Sequence, residues 1–184
     1  MTRTCHALHH LPCFASLATL ITSPSNDKIK LVRALQAQRR AREKERLFVI
    51  EGVRLAEEAV RARLPVKLVL HTDHLDPRSR SALNQLARLG AQVETVSPAV
   101  MAAASGTQTP QGLLAVVSFP SFVIRHSSFV IVLDRLSDPG NLGTILRTAD
   151  AAGVEAVFLA PGTVDAYNPK VVRAALGAHF HLPI

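Results

Sequence analysis

From about Ser23 onward, apolar positions recur alternately at helical and at strand spacing. Ile29, Val32 and Leu35 mark one face of a helix that Ser25 or Asn26 can cap, and the pattern continues through a basic stretch to Arg46. Leu47 to Ile50 reads as a strand, Val53 to Leu64 as an amphipathic helix and Val66 to Leu70 as a second strand. Pro77 to Leu89 predicts a helix stopped by Gly90, and Gln92 to Val96 a third strand. Ser97-Pro98 opens a short helix with a cap and a proline in its first turn. The loop Gly106 to Gly112 then leads into the strand Leu113 to Val117. Strands alternating with helices predict an α/β layer architecture and a compact first domain over residues 23–118.

Residues 119–128 read as a linker. It overlaps a small duplication, Ser121-Phe122-Val123-Ile124 and Ser128-Phe129-Val130-Ile131, whose second copy flows into Val132-Leu133 and reads as a buried strand. The alternation then restarts: loop Asp134 to Gly140, helix Asn141 to Ala152 stopped by Gly153, and strand Glu155 to Leu159. Loop Ala160 to Asn168 and a helix from Pro169 to about Ala178 follow, and then Leu182-Pro183-Ile184. These few elements do not close a doubly wound sheet, so residues 129–184 are expected to be the front part of a larger parallel-sheet domain.

Composition adds a direction. Hydrophobic residues make up 48% of the chain and charged residues 19%, a globular balance, and no apolar run approaches the roughly 20 residues of a spanning helix. The formal net charge is +7, which points to an anionic partner. Most of the excess lies in Lys28, Lys30, Arg33, Arg39, Arg40, Arg42, Lys44 and Arg46, opposed by Asp27, Glu43 and Glu45. Such a run is either a solvated helical face or a phosphate-facing patch, and the scarcity of acids favours the patch. With no Trp and one Tyr, successive stacking of bases on aromatic rings is not the expected mode of RNA binding.

The two cysteines, Cys5 and Cys13, cannot staple a domain of this size, so a reducing, cytoplasmic setting is expected. With His6, His9 and His10 they lack the spacing of a structural zinc site, and no metal is expected. Residues 1–22 read as an N-terminal extension; Phe14 to Ile21 has the look of a short signal core without a cleavage site.

The densest chemistry runs from Leu133 to Gly153. An Asp138-Pro139-Gly140 turn delivers Asn141 at a helix start, where backbone donors favour an anion. Leu142, Ile145, Leu146 and Ala149 form the apolar side of this helix, and Arg147 sits beside them. From the residues alone, Asn141 is an N-cap or a substrate contact, and Arg147 a surface ion-pair partner or a phosphate ligand. No Gly-x-Gly-x-x-Gly and no Gly-Lys-Ser/Thr loop is present, which disfavours dinucleotide and NTP enzymes.

The string Asp138-Pro139-Gly140-Asn141-Leu142-Gly143-Thr144-Ile145-Leu146-Arg147-Thr148-Ala149-Asp150 resembles the first signature of the SpoU/TrmH family of RNA ribose 2′-O-methyltransferases. Tyr167-Asn168-Pro169-Lys170-Val171-Val172-Arg173-Ala174-Ala175-Leu176-Gly177-Ala178 resembles the second, with Ala175 where the family usually has Ser. Phe48 to Leu55 and Thr109 to Val116 look like the family's small substrate-binding domain. The resemblance implies an α/β substrate-binding domain followed by an incomplete α/β-knot methyltransferase domain with a parallel sheet. It implies S-adenosylmethionine as methyl donor, a ribosomal or alternatively transfer RNA substrate, a homodimer, and no membrane or metal.

Arg147 would be catalytic and Asn141 would orient it or the RNA. Lys28, Lys30, Arg33, Arg39, Arg40, Arg42, Arg54 and Arg173 would face RNA, and Gly177 would allow close backbone approach. The family's third signature, which lines the donor site, has no counterpart up to Ile184, so the chain is expected to be C-terminally truncated and inactive by itself. The rival reading is a non-catalytic RNA-binding module built on the first domain.

Overall fold

The structure is a computed structural model that describes residues 20–124 and 128–184. The segment carrying Cys5, Cys13 and the neighbouring histidines, with its metal and secretion readings, lies outside the described residues.

The basic segment forms two helices rather than one. Asn26 caps α1 (Asp27–Ala37) by accepting from the Lys28 amide, and Ile29, Val32 and Leu35 are fully buried. Gln38, at φ −122° and ψ 118°, breaks the helix before α2 (Arg39–Glu45). The break strands carbonyls at the end of α1. Arg42 turns inward from α2 to satisfy them, donating through Nη1 to the Leu35 oxygen at 2.6 Å and the Gln36 oxygen at 3.4 Å.

The first sheet comprises β1 (Leu47–Glu51), β2 (Val66–His71), β3 (Gln92–Thr95) and β4 (Leu113–Ser118), in the order β1-β4-β2-β3. β2 and β3 are parallel, whereas β4 is antiparallel to both β1 and β2, so β1, β2 and β3 run one way. Helices α3 (Val53–Arg61) and α4 (Pro77–Arg88) cover one face over Phe48, Ile50 and Val69; α1 and α5 (Pro98–Ala104) cover the other over Val49, Leu68 and Val116. Burial on both faces explains why β1 and β4 are continuous apolar runs rather than alternating ones.

In the second part, β5 (Val130–Leu133) pairs in parallel with β6 (Ala156–Leu159). Helices α6 (Pro139–Ala151) and α7 (Pro169–Ala175) cover one face of this pair, against Ile131, Leu133 and Val157. Among the described residues the other face is bare: Val132 is 67% exposed and Phe158 48%, so β5, expected to be buried, is covered by them on one side only. Helix α6 starts at Pro139, two residues earlier than the pattern predicts, because Asp138 is its cap and accepts from the Asn141 amide at 2.6 Å. Helix α7 stops at Ala175, earlier than expected. Leu176 turns left-handed (φ 50°) there, and Gly177 leads into a 3-10 turn, Ala178–Phe180.

The two parts are packed together. Val172 and Phe180 belong to the same apolar cluster as Phe48, and Tyr167 stacks on Phe119 with centroids 3.8 Å apart. His179 is buried among Phe48 and Tyr167, its Nε2 bonded to the Ala166 carbonyl oxygen at 2.7 Å. Burial pushes its pKa down to about 4.

Candidate functional site

Leu142, Leu146 and Ala149 form the buried stripe of α6, leaving Asn141, Thr144, Arg147 and Thr148 exposed. Asn141 lies in the first turn and is not the cap, so its side-chain amide is not engaged in capping. Six positions of rotation place Asn141 and Arg147 about 120° apart around the axis, on opposite flanks of the exposed face. Gly143 explains how firmly the helix is held. A Cβ there would meet the Ala174 methyl and lie 2.7 Å from the Val171 oxygen, so only glycine lets α6 and α7 approach this closely. Arg147 stands one turn beyond Gly143 on this firmly held helix, with its side chain exposed. No ion pair engages it among the described residues.

The basic residues of the first part divide sharply. Arg33 and Arg40 are exposed and carry no ion pair among the described residues. Lys28 is bound to Glu94, Lys30 pairs with Asp27 at 3.0 Å, and Arg39 pairs with Glu43 one turn on. The last two pairs are solvent-exposed and weak enough for the cations to remain available. Arg42, expected to face phosphate, is buried instead. It donates from Nε and Nη2 to Asp165 Oδ2 at 2.9 and 2.6 Å, while Asp165 Oδ1 accepts from the Tyr167 amide. Its charge is consumed in tying α2 to the loop before α7. Sequence spacing gave no signal for this pair, whose members are 123 positions apart.

Arg54 is exposed in the first turn of α3. Arg173 is half-buried on α7 and reaches the first part: a Cβ on Gly106 would lie 3.3 Å from its Nη1 and 3.0 Å from Gln36 Oε1. Ala175, where the resembled signature carries serine, is buried in the second core. Gly177, at φ 103°, lies against the Glu58 side chain, where a Cβ would stand 2.6 Å from Cγ. A cavity of about 540 Å³ opens at the carboxyl end of β6, bordered by Arg39, Arg46, Glu43 and the loop from Ala160 to Tyr167. Arg46 lies over the Phe119 ring at 4.7 Å, a cation–π contact that the sequence did not signal.

Known proteins share both parts. Residues 26–115 match the MRM3-like substrate binding domain, and residues 128–184 match the SpoU rRNA Methylase family. The chain is 40% identical over 164 residues to a 23S rRNA guanosine 2′-O-methyltransferase, RlmP, of Bacillus subtilis, covering 89% of this chain and 63% of that protein. It is 33% identical over 172 residues to the human mitochondrial rRNA methyltransferase 3, covering 88% of this chain and 40% of that one. An AdoMet-bound rRNA methyltransferase from Sinorhizobium meliloti superposes with a TM-score of 0.76 at 30% identity, over 89% of this chain and 62% of that one. The chain thus spans less than two thirds of the relatives it matches. With the α6 signature, the α7 signature and the preceding substrate-binding sheet all in place, the chain belongs to the SpoU/TrmH family of RNA 2′-O-methyltransferases.

Proposed function

We propose that this chain serves the transfer of a methyl group from S-adenosylmethionine to a ribose 2′-hydroxyl of ribosomal RNA, with Arg147 as the catalytic side chain. The observation that carries the reading is an exposed arginine without an ion pair among the described residues, mounted on a helix that Gly143 locks against α7. Guanidinium does not give up its proton near neutral pH, so Arg147 works by charge. It holds the phosphate beside the target ribose and offsets the negative charge that develops on the 2′-oxygen as the hydroxyl proton passes to water. Asn141, on the opposite flank, positions the RNA strand. Arg33, Arg39 and Arg40 supply further phosphate contacts from α1 and α2, on the first part of the same packed body. The enzyme works in the cytoplasm as a homodimer.

The donor does not fit the cavity at β6. Two arginines border it, Asp165 is held by Arg42, Glu43 is shared with Arg39, and the Phe119 ring is covered by Arg46 and Tyr167, so little among the described residues favours a sulfonium there.

The test is transfer of labelled methyl groups to unmodified ribosomal RNA by the full gene product, with RNA affinity measured separately. Arg147→Ala should lower turnover by about 10² to 10³, and Arg147→Lys should restore little, because an ammonium cannot reproduce the planar fork. Asn141→Ala should cost less. An Arg147→Ala enzyme that keeps more than about a tenth of wild-type turnover, less than about 1.4 kcal/mol, removes Arg147 from catalysis.

A further inference from the structure

Because β1, β2 and β3 run in one direction, their carboxyl ends share one edge of the first sheet. Crevices at such edges are where α/β sheets take ligands. Here the loop from Ser105 to Gly112 lies across that edge. It is held at one end by Ser105 and Thr107, whose hydroxyls donate to Glu51 Oε1 at 2.7 and 3.0 Å. At the other end the Gln111 amide occupies the space a side chain on Gly52 would need, and the Thr72 amide donates to the Gly112 carbonyl at 3.0 Å. Behind this loop lies a second cavity, of about 530 Å³.

The lining decides what the cavity suits. Met101 and Ala102 of α5 give it an apolar wall, and Thr72, Asp73, His74 and Gln111 are the polar residues that line it. An apolar slot with a few convergent polar groups, in this size range, is the usual design of a small-molecule site. It contains one carboxylate and no lysine or arginine, so it does not suit a phosphate. Cations stand instead just beyond each end of the loop. Arg173 lies beside Gly106, and Arg54 follows Gly52 in the first turn of α3; neither has an ion-pair partner among the described residues. A planar ring with amide and amino edges inside, and anionic groups on either side, is an unpaired nucleotide within an RNA strand.

We propose that this cavity receives one unpaired nucleobase of the RNA, with Arg54 and Arg173 holding the flanking phosphates. The proposal rests on the RNA-methyltransferase reading above, and adds a recognition site built on the ends of β1 and β2, on α5 and on the loop from Ser105 to Gly112. Its discriminating power lies in the hydrogen bonds of Gln111, Asp73 and Thr72 to the base edge, while the apolar wall stacks on either ring face.

The experiment is a fluorescence-anisotropy titration of the 184-residue chain with two probes, an unpaired RNA heptamer and a fully paired RNA hairpin of matched phosphate number. Ala102 is exposed on α5, so Ala102→Leu fills the cavity without disturbing the core, which a thermal melt verifies. Ala102→Leu and Gln111→Ala should each weaken the unpaired heptamer at least tenfold and leave the hairpin unchanged. Arg54→Ala and Arg173→Ala should each flatten the salt dependence of heptamer binding by about 0.7 in log–log slope, one single-strand phosphate contact apiece. Wild-type binding of the heptamer that Ala102→Leu and Gln111→Ala leave intact overturns the cavity assignment and spares the methyltransferase reading. Failure of the wild-type chain to bind either RNA overturns the cavity assignment, whereas the methyl-transfer assay decides the other independently.

Discussion

His179 makes the junction between the two parts sensitive to acid, and the size of the effect follows from its surroundings. The ring is fully buried, Nε2 is bonded to the Ala166 carbonyl, and Nδ1 has no hydrogen-bond partner among the described residues. Protonation would place a charge among Phe48, Tyr167 and Phe180, so burial holds the folded pKa near about 4 against 6.5 for a solvated histidine. Between those values the unfolded chain binds a proton that the folded chain refuses. Stability therefore rises with pH across the window, is complete above about pH 6.5, and declines as pH falls toward 4. A gap of about 2.5 pH units corresponds to roughly 3 kcal/mol at 1.36 kcal/mol per unit. The perturbation is His179→Phe, which keeps a ring in the cluster but cannot titrate. Urea unfolding at several pH values from 7.5 to 4 should show wild type losing about 3 kcal/mol more than His179→Phe over that span. Carboxylate titration elsewhere in the molecule cancels in the difference. Parallel pH profiles for the two proteins, or an NMR titration placing His179 near 6.5, would refute the reasoning.

Three further outcomes are expected. Arg42→Ala leaves the Asp165 carboxylate uncompensated at 15% side-chain exposure, which should cost about 3 kcal/mol or more and lower Tm by roughly 6–12 °C; Arg42→Met with Asp165→Leu should recover much of the loss in the same melt. For structured RNA, Arg33→Ala with Arg40→Ala should reduce the salt slope by nearly two in filter binding, whereas a slope that falls equally with Arg42→Met would contradict the burial of Arg42. Gly143→Ala forces α6 from α7 and should destabilise by about 1–3 kcal/mol in denaturant titration; an unchanged midpoint would mean the helices have room to spare.

Much of the fold was legible because it is written in local spacing. Ile29, Val32 and Leu35 announce a helix, the apolar runs Leu47 to Ile50 and Leu113 to Val117 announce strands, and Ser97-Pro98 marks a helix start. The signature around Asn141 and Arg147 was legible for the same reason, as a contiguous string whose turn, helix start and apolar stripe all fall within one element. What the chain alone did not disclose depends on partners far apart along it. The basic stretch reads as one phosphate-facing helix, whereas the chain breaks at Gln38 and Arg42 turns inward to the stranded carbonyls and to Asp165 of the second part. Helix α6 starts at Pro139 rather than Asn141 because Asp138 caps it through the Asn141 amide, the same cap-and-proline pattern as Ser97-Pro98, here read as part of a turn. The bare face of β5 and β6 likewise follows from which helices cover the sheet. Residue type and spacing fix local conformation through short-range sterics and hydrogen bonding. Which charges meet water and which are consumed in pairs is decided by long-range packing, and that belongs to the tertiary structure.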